Sequence, residues 1–594
     1  MSLASWFPLV GTLRDYRRED ARADAVAGLT VALVAIPQSM AYAIIAQVPP
    51  AYGLYAFIVS SIVCALFNSS SFVSAGPSNA VSLLVASRLA ARPDGTDPET
   101  MLFALTLLVG AIQVLLALIR AGALVNYISN AVIAAYMAGA GLLIVANQIP
   151  NLLGVLGPRS PGFAGTLRQV WEQIPNVRLE SLALGAGTLA AWLVLKRLSP
   201  RLPSMLIAIA LAAGATAILH LDASSDARPA AVKLVRDVQG GVSGSLPTPR
   251  ILPFTLSEAQ DLSGAAFAIA ILSLAQGLSV ARAFAAKSGQ PISPNREFAG
   301  LGLANAAAAF FQGIPGSGSL VRSAVSFESG ARTRLVNVFA GLVTAVLILS
   351  LAPLANRIPT PALAGIVIGV GASMVDFHAI RSIFSSTRTD MLGYTATFAC
   401  AITLPERLEL SIFVGVAFSI LAFIRQASSL HVTEMVASNS GQFREIGDEK
   451  QPTCAQISLL HIEGSLFFGA AFELSDRLRE IAARKHPHVI ILRVKRARHI
   501  DLTTLEVLRD FAHSYRARGG HLLLCGVAPE LMAMLDRLGL SADLAPENIF
   551  PARDDIYAST QEAVRRARGL LATGSCPCHG RFFADCPAPA VTEM

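Results

Sequence analysis

The longest uncharged stretch of the sequence constrains the fold most. Residues 25–87 contain 63 consecutive positions without Asp, Glu, Lys or Arg. About 20 apolar residues of α-helix cross a lipid bilayer, so this stretch predicts three membrane spans. Proline and glycine mark the joints, at Pro49-Pro50 and at Gly76-Pro77. The chain is therefore predicted to be an α-helical membrane protein.

Charged residues are unevenly distributed along the chain. Residues 1–430 hold 48 of them, whereas residues 431–594 hold 39. The fraction of charged residues in 431–594 is that of a soluble domain, and the fraction in 1–430 is far below it. Neither part has the strongly basic character that would indicate a nucleic-acid partner. Apolar segments predict eleven further spans, near residues 100–119, 124–147, 180–197, 203–219, 262–284, 298–313, 317–330, 334–350, 357–375, 389–404 and 407–427.

The resulting fourteen spans divide into two similar halves. Seven spans precede the 220–261 connection and seven follow it, which gives repeats of about 25–219 and 262–427 with opposite topology. The third span of each half is interrupted, at Gly76-Pro77 and at the GIPGSGS segment of 313–319. Paired interruptions in inverted repeats indicate the midplane binding site of a transporter.

Both ends of the chain are predicted to lie in the cytoplasm. An even number of spans places the two ends on one side, and Lys and Arg are frequent in the loops of that side, as the positive-inside rule requires. The N-terminal segment of 1–24 has no cleavable secretory signal. We expect a multi-pass protein of a bacterial cytoplasmic membrane, with a transport domain over 25–430.

The C-terminal part is predicted to be a small α/β domain over 445–571. Apolar runs typical of strands alternate there with helical patterns. The runs lie at 456–462, 488–494 and 521–525, and the helical patterns at 470–484, 503–517 and 528–538. The tail of 572–594 carries a ligand set for tetrahedral zinc, in Cys576, Cys578, His579 and Cys586. Incidental cysteines in a disordered tail are the favoured interpretation, so we predict no metal and no cofactor.

The two interrupted spans offer an anion site. A helix N-terminus carries about half a positive charge and free N–H groups, which bind anions without a side chain. The residues at these helix starts are Ser78 and Asn79 in the first half, and Ser319, Leu320, Val321 and Arg322 in the second. Two helix ends and one guanidinium give a charge of roughly +2. This sum favours an oxyanion over a cation.

Arg322 has a structural alternative. An arginine within an apolar span costs about 2.5 to 17 kcal/mol, depending on the method of measurement. In the structural alternative, Arg322 avoids this cost by pairing with Glu328 on the same helix or by extending its guanidinium to the cytoplasmic surface. Other polar candidates are Gln38 and Tyr42, four residues apart on the first span, and Ser273, Gln276 and Ser279 on the eighth.

The sequence resembles the sulfate permease (SulP) family, which is related to the eukaryotic anion exchangers and prestin. The motifs are DAVAGLTVALVAIPQSMAYAIIAQVPPAYGLYA (24–56), SAGPSNAVSLL (74–84) and the segment of 281–334 that contains GIPGSGSLVRS. Residues 456–538 resemble the attached STAS domain. The resemblance implies secondary active transport or exchange of sulfate, bicarbonate or dicarboxylates. It also implies a homodimer and an elevator movement of a core domain against a gate domain.

The resemblance implies specific site residues. The anion site carries over to Gln38, Tyr42, Ser78, Asn79 and the segment Ser319 to Arg322. Many bacterial relatives have a coupling carboxylate where this chain has Gln276, so we expect an exchanger or coupling through another group. The regulatory position of STAS domains matches Thr503, although a Thr503–Glu506 capping box is the favoured structural interpretation. A cytoplasmic partner of the STAS domain is possible in either case.

Other function classes fit the sequence less well. An intramembrane enzyme needs a base with an orienting partner, yet the first 430 residues contain only His220 and His378, both at predicted helix ends. A nucleobase permease with the same repeat plan would need carboxylates where Gln276 and Arg322 lie. An anion-sensing receptor with a STAS output remains open, because sequence does not distinguish binding from flux.

Overall fold

The computed structural model describes residues 8–571, apart from short gaps. The gaps are residues 94, 123–128, 156–162, 200–202, 223–231, 238–240, 243, 251–254, 429, 438–442, 447–453 and 499. The cysteine-containing tail lies outside the described residues. The chain divides into a membrane unit, Met1–Ile420, and a C-terminal unit, Leu421–Met594.

The membrane unit is helical. Its helices in chain order are α1 Pro8–Arg14, α2 Arg18–Ile45, α3 Pro50–Phe67, α4 Asn79–Ala90, α5 Pro98–Leu118, α6 Asn130–Leu153, α7 Phe163–Glu172, α8 Leu179–Leu198, α9 Ser204–Ile218, α10 Leu256–Ser288, α11 Pro294–Phe310, α12 Leu320–Glu328, α13 Leu335–Ala355, α14 Thr360–Ser373, α15 Phe377–Phe384, α16 Arg388–Thr403 and α17 Leu408–Ser428. The last turns of α17 belong to the C-terminal unit.

A helix lies at each of the fourteen predicted span positions. Nine helical segments of the described residues are long and apolar enough to cross a membrane by themselves. The class of polytopic helical membrane protein is thereby confirmed, whereas the count of fourteen crossings stays a prediction. Helix ends differ from the prediction where polar caps extend a helix. For example, α10 begins at Leu256 rather than near 262, because Thr255 and Glu258 form a capping box.

The two interrupted spans meet in a short antiparallel sheet. Strand β1 (Ser74–Pro77) precedes α4, and strand β2 (Gly316–Ser319) precedes α12. Ser74 pairs with Ser319, and Pro77 pairs with Gly316. A Cβ atom on Gly316 would lie 2.4 Å from the Gly76 carbonyl oxygen, so only glycine allows this approach. The sheet brings the starts of the two short helices together.

The membrane helices pack in two groups. Helices α2, α3, α5, α10, α11 and α13 pack against one another and carry the β1–β2 sheet. Helices α6, α8, α9, α14 and α16 form the second group. Contacts between the groups are sparse: α2 packs against α9 and α14. The short helix α4 contacts both groups, and its Ala80 carbonyl accepts a hydrogen bond from Tyr136 of α6. The short helix α4 therefore lies at the boundary of the two groups.

The C-terminal unit is an α/β domain, as predicted. Its strands are β3 His431–Ala437, β4 Phe443–Glu445, β5 Ile457–Ser465, β6 Val489–Arg498, β7 His521–Val527 and β8 Ile549–Pro551. Its helices are α18 Phe468–Lys485, α19 Leu502–Arg516, α20 Pro529–Arg537, α21 Leu540–Leu544 and α22 Ala558–Leu570. The sheet order is β4-β3-β5-β6-β7-β8, parallel from β5 to β8. Separate apolar clusters cover its two faces.

Candidate functional site

The starts of α4 and α12 are joined by a side chain as well as by the sheet. Arg322 is the third residue of α12, and its Nη2 donates to the carbonyl oxygen of Pro77 at 3.1 Å. Pro77 is the last residue of β1, just before the N-cap Ser78 of α4. The two electropositive helix ends therefore lie next to each other within the membrane unit.

The guanidinium of Arg322 is buried and only partly bonded. The side chain has 0% exposure, and its carbon Cζ lies 5.5 Å from the centre of the Phe57 ring. Its Nε and Nη1 atoms have no hydrogen-bond partner among the described residues. Buried polar groups without partners are costly, so such groups in a native fold call for a ligand or water.

The two structural alternatives for Arg322 are wrong. Its burial excludes an extension to the membrane surface. No ion pair joins it to Glu328 within the part of the chain that the structure describes. Phe57 contributes instead, since the face of an aromatic ring attracts a cation. Phe57 could not be predicted from the sequence, because it is one of many apolar residues in α3.

The N–H groups of the two helix starts are capped differently. The hydroxyl of Ser319 accepts from the Arg322 N–H at 3.3 Å, and the Oδ1 of Asn79 accepts from the Ala80 N–H at 2.9 Å. The side chains of Leu320 and Val321 are 57% and 54% exposed. Because both side chains are apolar, an anion could bind these two residues only through their N–H groups in the first turn of α12.

Gln276 is at the α4 start. Its Oε1 accepts from the hydroxyl of Ser78 at 3.3 Å, and its Nε2 lies 3.5 Å from the sulfur of Met137. Met137 belongs to α6, in the other helix group. The neighbouring Tyr136 donates to the carbonyl of Ala80 at 2.9 Å. The predicted position is thus adjacent to the helix tip, and sequence reasoning missed both α6 residues.

Gln38 and Tyr42 lie on the buried face of α2. Pro37 lies within this helix. The Oε1 atom of Gln38 is buried and has no partner among the described residues. Tyr42 is buried and interacts electrostatically with Arg322. Tyr42 is therefore a neighbour of Arg322, and Gln38 lies one turn earlier on the same buried face of α2.

Ser273 and Ser279 have other roles. Ser273 is buried and its hydroxyl donates to the Gly316 carbonyl of β2 at 2.7 Å. Ser279 is exposed and its hydroxyl donates back to the carbonyl of Ala275 within α10. Of the three predicted polar residues of α10, Gln276 lies at a helix tip, Ser273 supports β2, and Ser279 does neither.

Thr503 is not an N-cap, so the predicted capping box is wrong. Asp501 is the N-cap of α19, and its Oδ1 accepts from the Thr504 N–H at 2.9 Å. Its Oδ2 accepts from the Phe468 N–H at 2.6 Å, a tertiary contact that favours Asp501. Thr503 lies at the second helical position with an exposed side chain.

One group of possible metal ligands occurs in the described residues, in the C-terminal unit. It consists of Glu445, His461 and Glu463. The Nδ1 of His461 lies 3.2 Å from Arg493 Nη1, which can only donate. The proton of the neutral ring therefore lies on Nε2, which faces Glu463 at 3.1 Å. A metal on Nε2 would require the ring proton on Nδ1, where it would face the Arg493 donor, so this group does not fit a metal.

Comparison with known proteins gives consistent matches. The sulfate permease family matches residues 22–397, and the STAS domain matches residues 449–563. A protein of Mycobacterium tuberculosis, named as a probable sulfate transporter, is 30% identical over 93% of this chain and 97% of its own length. A chloroplastic sulfate transporter of Arabidopsis thaliana is 28% identical over 91% of this chain and 81% of its own.

Solved structures share the fold. The murine Slc26a9 anion transporter matches with a TM-score of 0.83 at 19% identity, over 95% of this chain and 94% of its own. The transmembrane domain of the cyanobacterial bicarbonate transporter BicA matches with a TM-score of 0.58 at 23% identity, over 68% of this chain and 98% of its own. At these identities the likeness concerns the fold alone.

Proposed function

Because the chain belongs to the sulfate permease family, it is a multi-pass membrane transporter of anions and not an enzyme, and we propose that it carries sulfate. The resemblance drawn from the sequence motifs is confirmed. The proposed site comprises Arg322 with its neighbours Ser319, Leu320 and Val321 on α12. Ser78 and Asn79 on α4, and Gln38 and Tyr42 on α2, complete it.

One observation carries the proposal. Arg322 has two buried nitrogen atoms without partners, beside two helix N-termini. A monovalent or divalent oxyanion would accept hydrogen bonds from both nitrogens and from the first-turn N–H groups of α12. The planar guanidinium of arginine, with its N–H donors in fixed directions, matches such an anion better than the ammonium group of a lysine does.

Sulfate is favoured by charge. Two helix ends and one guanidinium supply roughly +2, which balances a divalent anion. The described residues place no carboxylate against Arg322 to reduce that charge. The similar curated proteins from M. tuberculosis and A. thaliana are also named as sulfate transporters. Bicarbonate and dicarboxylates are the alternatives that the experiment separates.

The test is uptake of labelled anions into proteoliposomes. We expect saturable sulfate uptake, inhibited by excess unlabelled sulfate more strongly than by bicarbonate or dicarboxylates. Arg322→Ala should abolish it, whereas Arg381→Ala, at an exposed arginine of α15, should not. Preferred uptake of bicarbonate would identify bicarbonate, not sulfate, as the substrate. Sulfate binding without flux would indicate a receptor instead.

The packing of the membrane helices supports an elevator movement. The sheet and α12 belong with α2, α3, α5, α10, α11 and α13, while contacts to the α6 group are sparse. The helix group that carries the binding site can slide past the other group, because few contacts between the two groups must break. Met137→Cys and Gln276→Cys in a cysteine-free protein would cross-link the two groups. Transport should stop on oxidation and return on reduction, and full transport by cross-linked protein would exclude the movement.

Gln276 bears on coupling. Its amide is neutral, and its oxygen is already engaged by Ser78. It therefore neither takes up a proton nor offers charge to Na⁺. We propose anion exchange, with acceleration by anions on the opposite side of the membrane. Strong stimulation by a Na⁺ gradient, abolished by Gln276→Ala, would contradict exchange.

Three further features stay predictions. These are cytoplasmic N- and C-termini, a homodimer, and regulation through Thr503. A phosphate on Thr503 would add about −1.5 to −2 charges in the first turn of α19, where the helix dipole favours them. The exposed side chain permits modification. Phosphoproteomics of the native membrane, with Thr503→Ala as control, tests the last feature.

A further inference from the structure

Helix α11 holds the backbone on both sides of the proposed anion site. Glu297, Leu301 and Asn305 lie four residues apart on one buried face of this helix. Glu297 binds the chain just before β1, and Asn305 binds β2. Eight residues of α-helix span about 12 Å, so this one helix sets the distance between the backbone segment bound by Glu297 and the one bound by Asn305.

Asn305 binds both main-chain groups of Gly316. Its Oδ1 accepts from the Gly316 N–H at 2.8 Å, and its Nδ2 lies 3.3 Å from the Gly316 carbonyl oxygen. The same Nδ2 donates to Gln113 Oε1 at 2.8 Å, and Gln113 Nε2 donates to Ser273 Oγ at 3.0 Å. Ser273 in turn donates to the Gly316 carbonyl at 2.7 Å. All three side chains have 0% exposure.

Glu297 acts on the other strand with Arg334. The Oε1 of Glu297 accepts from the Ser70 N–H at 2.7 Å and from the Ser69 hydroxyl at 2.6 Å. Arg334 Nη1 donates to the carbonyl of Asn68 at 2.6 Å. Both side chains are buried, and their charges are opposite. Together they hold residues 68–70, which lie shortly before β1 begins at Ser74.

Helix α11 is closely packed against the neighbouring backbone at two glycines. A Cβ atom on Gly300 would lie 1.8 Å from Asn68 Oδ1, and one on Gly302 would lie 2.9 Å from the Gly110 carbonyl of α5. On the opposite side of β2, a Cβ atom on Gly318 would lie 3.0 Å from Gly277 Cα of α10. The strands are therefore held between helices at contact distance.

We infer that Asn305 and Glu297 are positioning residues that set the separation of the α4 and α12 tips, and hence which anion fits between them. This inference rests on the proposed function and extends it to residues outside the binding site. A displacement of β2 by a few tenths of an ångström would change every contact of the Arg322 turn at once. Selectivity would then depend on α11 as well as on the residues that touch the anion.

The test compares two buried amide-to-carboxylate changes in the full-length protein. Asn305→Asp keeps the acceptor for the Gly316 N–H but places an oxygen against two other oxygens, those of Gly316 and Gln113. Gln148→Glu is the matched control, because Gln148 is also buried and, among the residues that the structure describes, is bonded only within α6, where its Oε1 accepts from Asn151. Both proteins are reconstituted at equal, folded amounts.

We expect Asn305→Asp to raise the KM for sulfate about tenfold, with a smaller change in maximal rate. Inhibition by succinate relative to selenate should also change, because the gap between the tips changes. Gln148→Glu should leave both quantities unaltered. If Asn305→Asp does not fold, Ser273→Ala removes one bond to Gly316 and should shift both quantities in the same direction, by about threefold in KM.

The outcomes separate this inference from the proposed function. A lower maximal rate with unchanged KM and unchanged anion ranking would mean that Asn305 is only structural, and would overturn the inference. Sulfate uptake that does not depend on Arg322 would overturn the proposed function and the inference with it. Uptake that depends on Arg322 but is indifferent to Asn305→Asp and Ser273→Ala would overturn the inference alone.

Discussion

Arg322 in the membrane unit and Arg493 in the C-terminal unit are both buried, but they differ in their hydrogen bonds. Arg322 in the membrane unit has 0% exposure and Arg493 in the C-terminal unit has 4%. Each guanidinium lies 5.5 Å from the centre of an aromatic ring, Phe57 for the first and Tyr557 for the second. Burial and ring contact are therefore the same for both, and neither property distinguishes them.

Their hydrogen bonds distinguish them. Arg493 directs its three nitrogens to Thr560 Oγ1, His461 Nδ1 and the Ile556 carbonyl, at 3.2 to 3.3 Å. Arg322 bonds one carbonyl and leaves Nε and Nη1 without partners among the described residues. A satisfied buried cation stabilises its own domain, whereas an unsatisfied one is available to a ligand. The difference assigns a structural role to Arg493 and a binding role to Arg322.

The largest expected effect is on transport. Arg322→Ala should lower kcat/KM for sulfate about 100-fold or more, because two charge-assisted hydrogen bonds are lost. Arg493→Ala should leave the KM unchanged in the same proteoliposome assay. Equal losses of affinity in the two variants would remove the distinction between the arginines.

The second effect is on stability. Arg493→Ala should lower the free energy of unfolding of the C-terminal unit by about 2 to 3 kcal/mol, because His461 and the Ile556 carbonyl lose their donor. Hydrogen exchange of β5 and β6 in the full-length protein measures this. Arg496→Ala, at an exposed arginine paired with Glu463, is the control and should cost less than about 1 kcal/mol. Exchange rates that match wild type in Arg493→Ala would contradict the structural role.

A third effect separates the two helix tips. Ser319→Ala removes the cap of the Arg322 N–H and should destabilise the protein by about 1 kcal/mol. Ser78→Ala should cost less, because the Ser78 hydroxyl caps no N–H and donates to Gln276 instead. Thermal unfolding of both purified variants gives the order, and a larger loss in Ser78→Ala would reverse it.

The smallest effect concerns pH. Burial, aided by the Arg493 charge, lowers the pKa of His461 below its ordinary value near 6.5, although the hydrogen bond to Glu463 opposes the shift. The unfolded chain therefore takes up the proton first, so stability is complete above about pH 6.5 and falls as pH drops below it. His461→Gln should weaken this pH dependence. The measurement is the protection of the β5 amides from hydrogen exchange, compared between the variant and the wild type at each pH. Stability that rises on acidification would contradict the sign.

Much of the fold was predictable from the sequence. Apolar segments predicted the positions of the membrane helices, and the Gly-Pro interruptions marked the two breaks. That the chain forms a strand at each break was not predicted. Arg322 stood out because a charge within an apolar span is rare. The short helices α7 and α15 were missed, since they lie outside the apolar runs on which the prediction relied.

Other features depend on contacts between distant parts of the chain. Asn305 and Gln113 are separated by 192 residues and follow no period, so their bond is invisible in a single sequence. Thr503 fits a capping box locally, but Asp501 takes the cap because its second oxygen binds Phe468. Arg493 lies in a strand among charged residues, where nothing indicates burial. Tertiary structure decided each of these cases.

The central claim is that an oxyanion occupies the space beside Arg322, between the starts of α4 and α12. The most direct measurement is a crystal structure of the protein grown with selenate, in which the selenium atom is located by its anomalous signal. The account predicts a peak within hydrogen-bonding reach of Arg322 Nε and Nη1 and of the first-turn N–H groups of α12. A peak elsewhere, with both arginine nitrogens bound to protein groups, would contradict it.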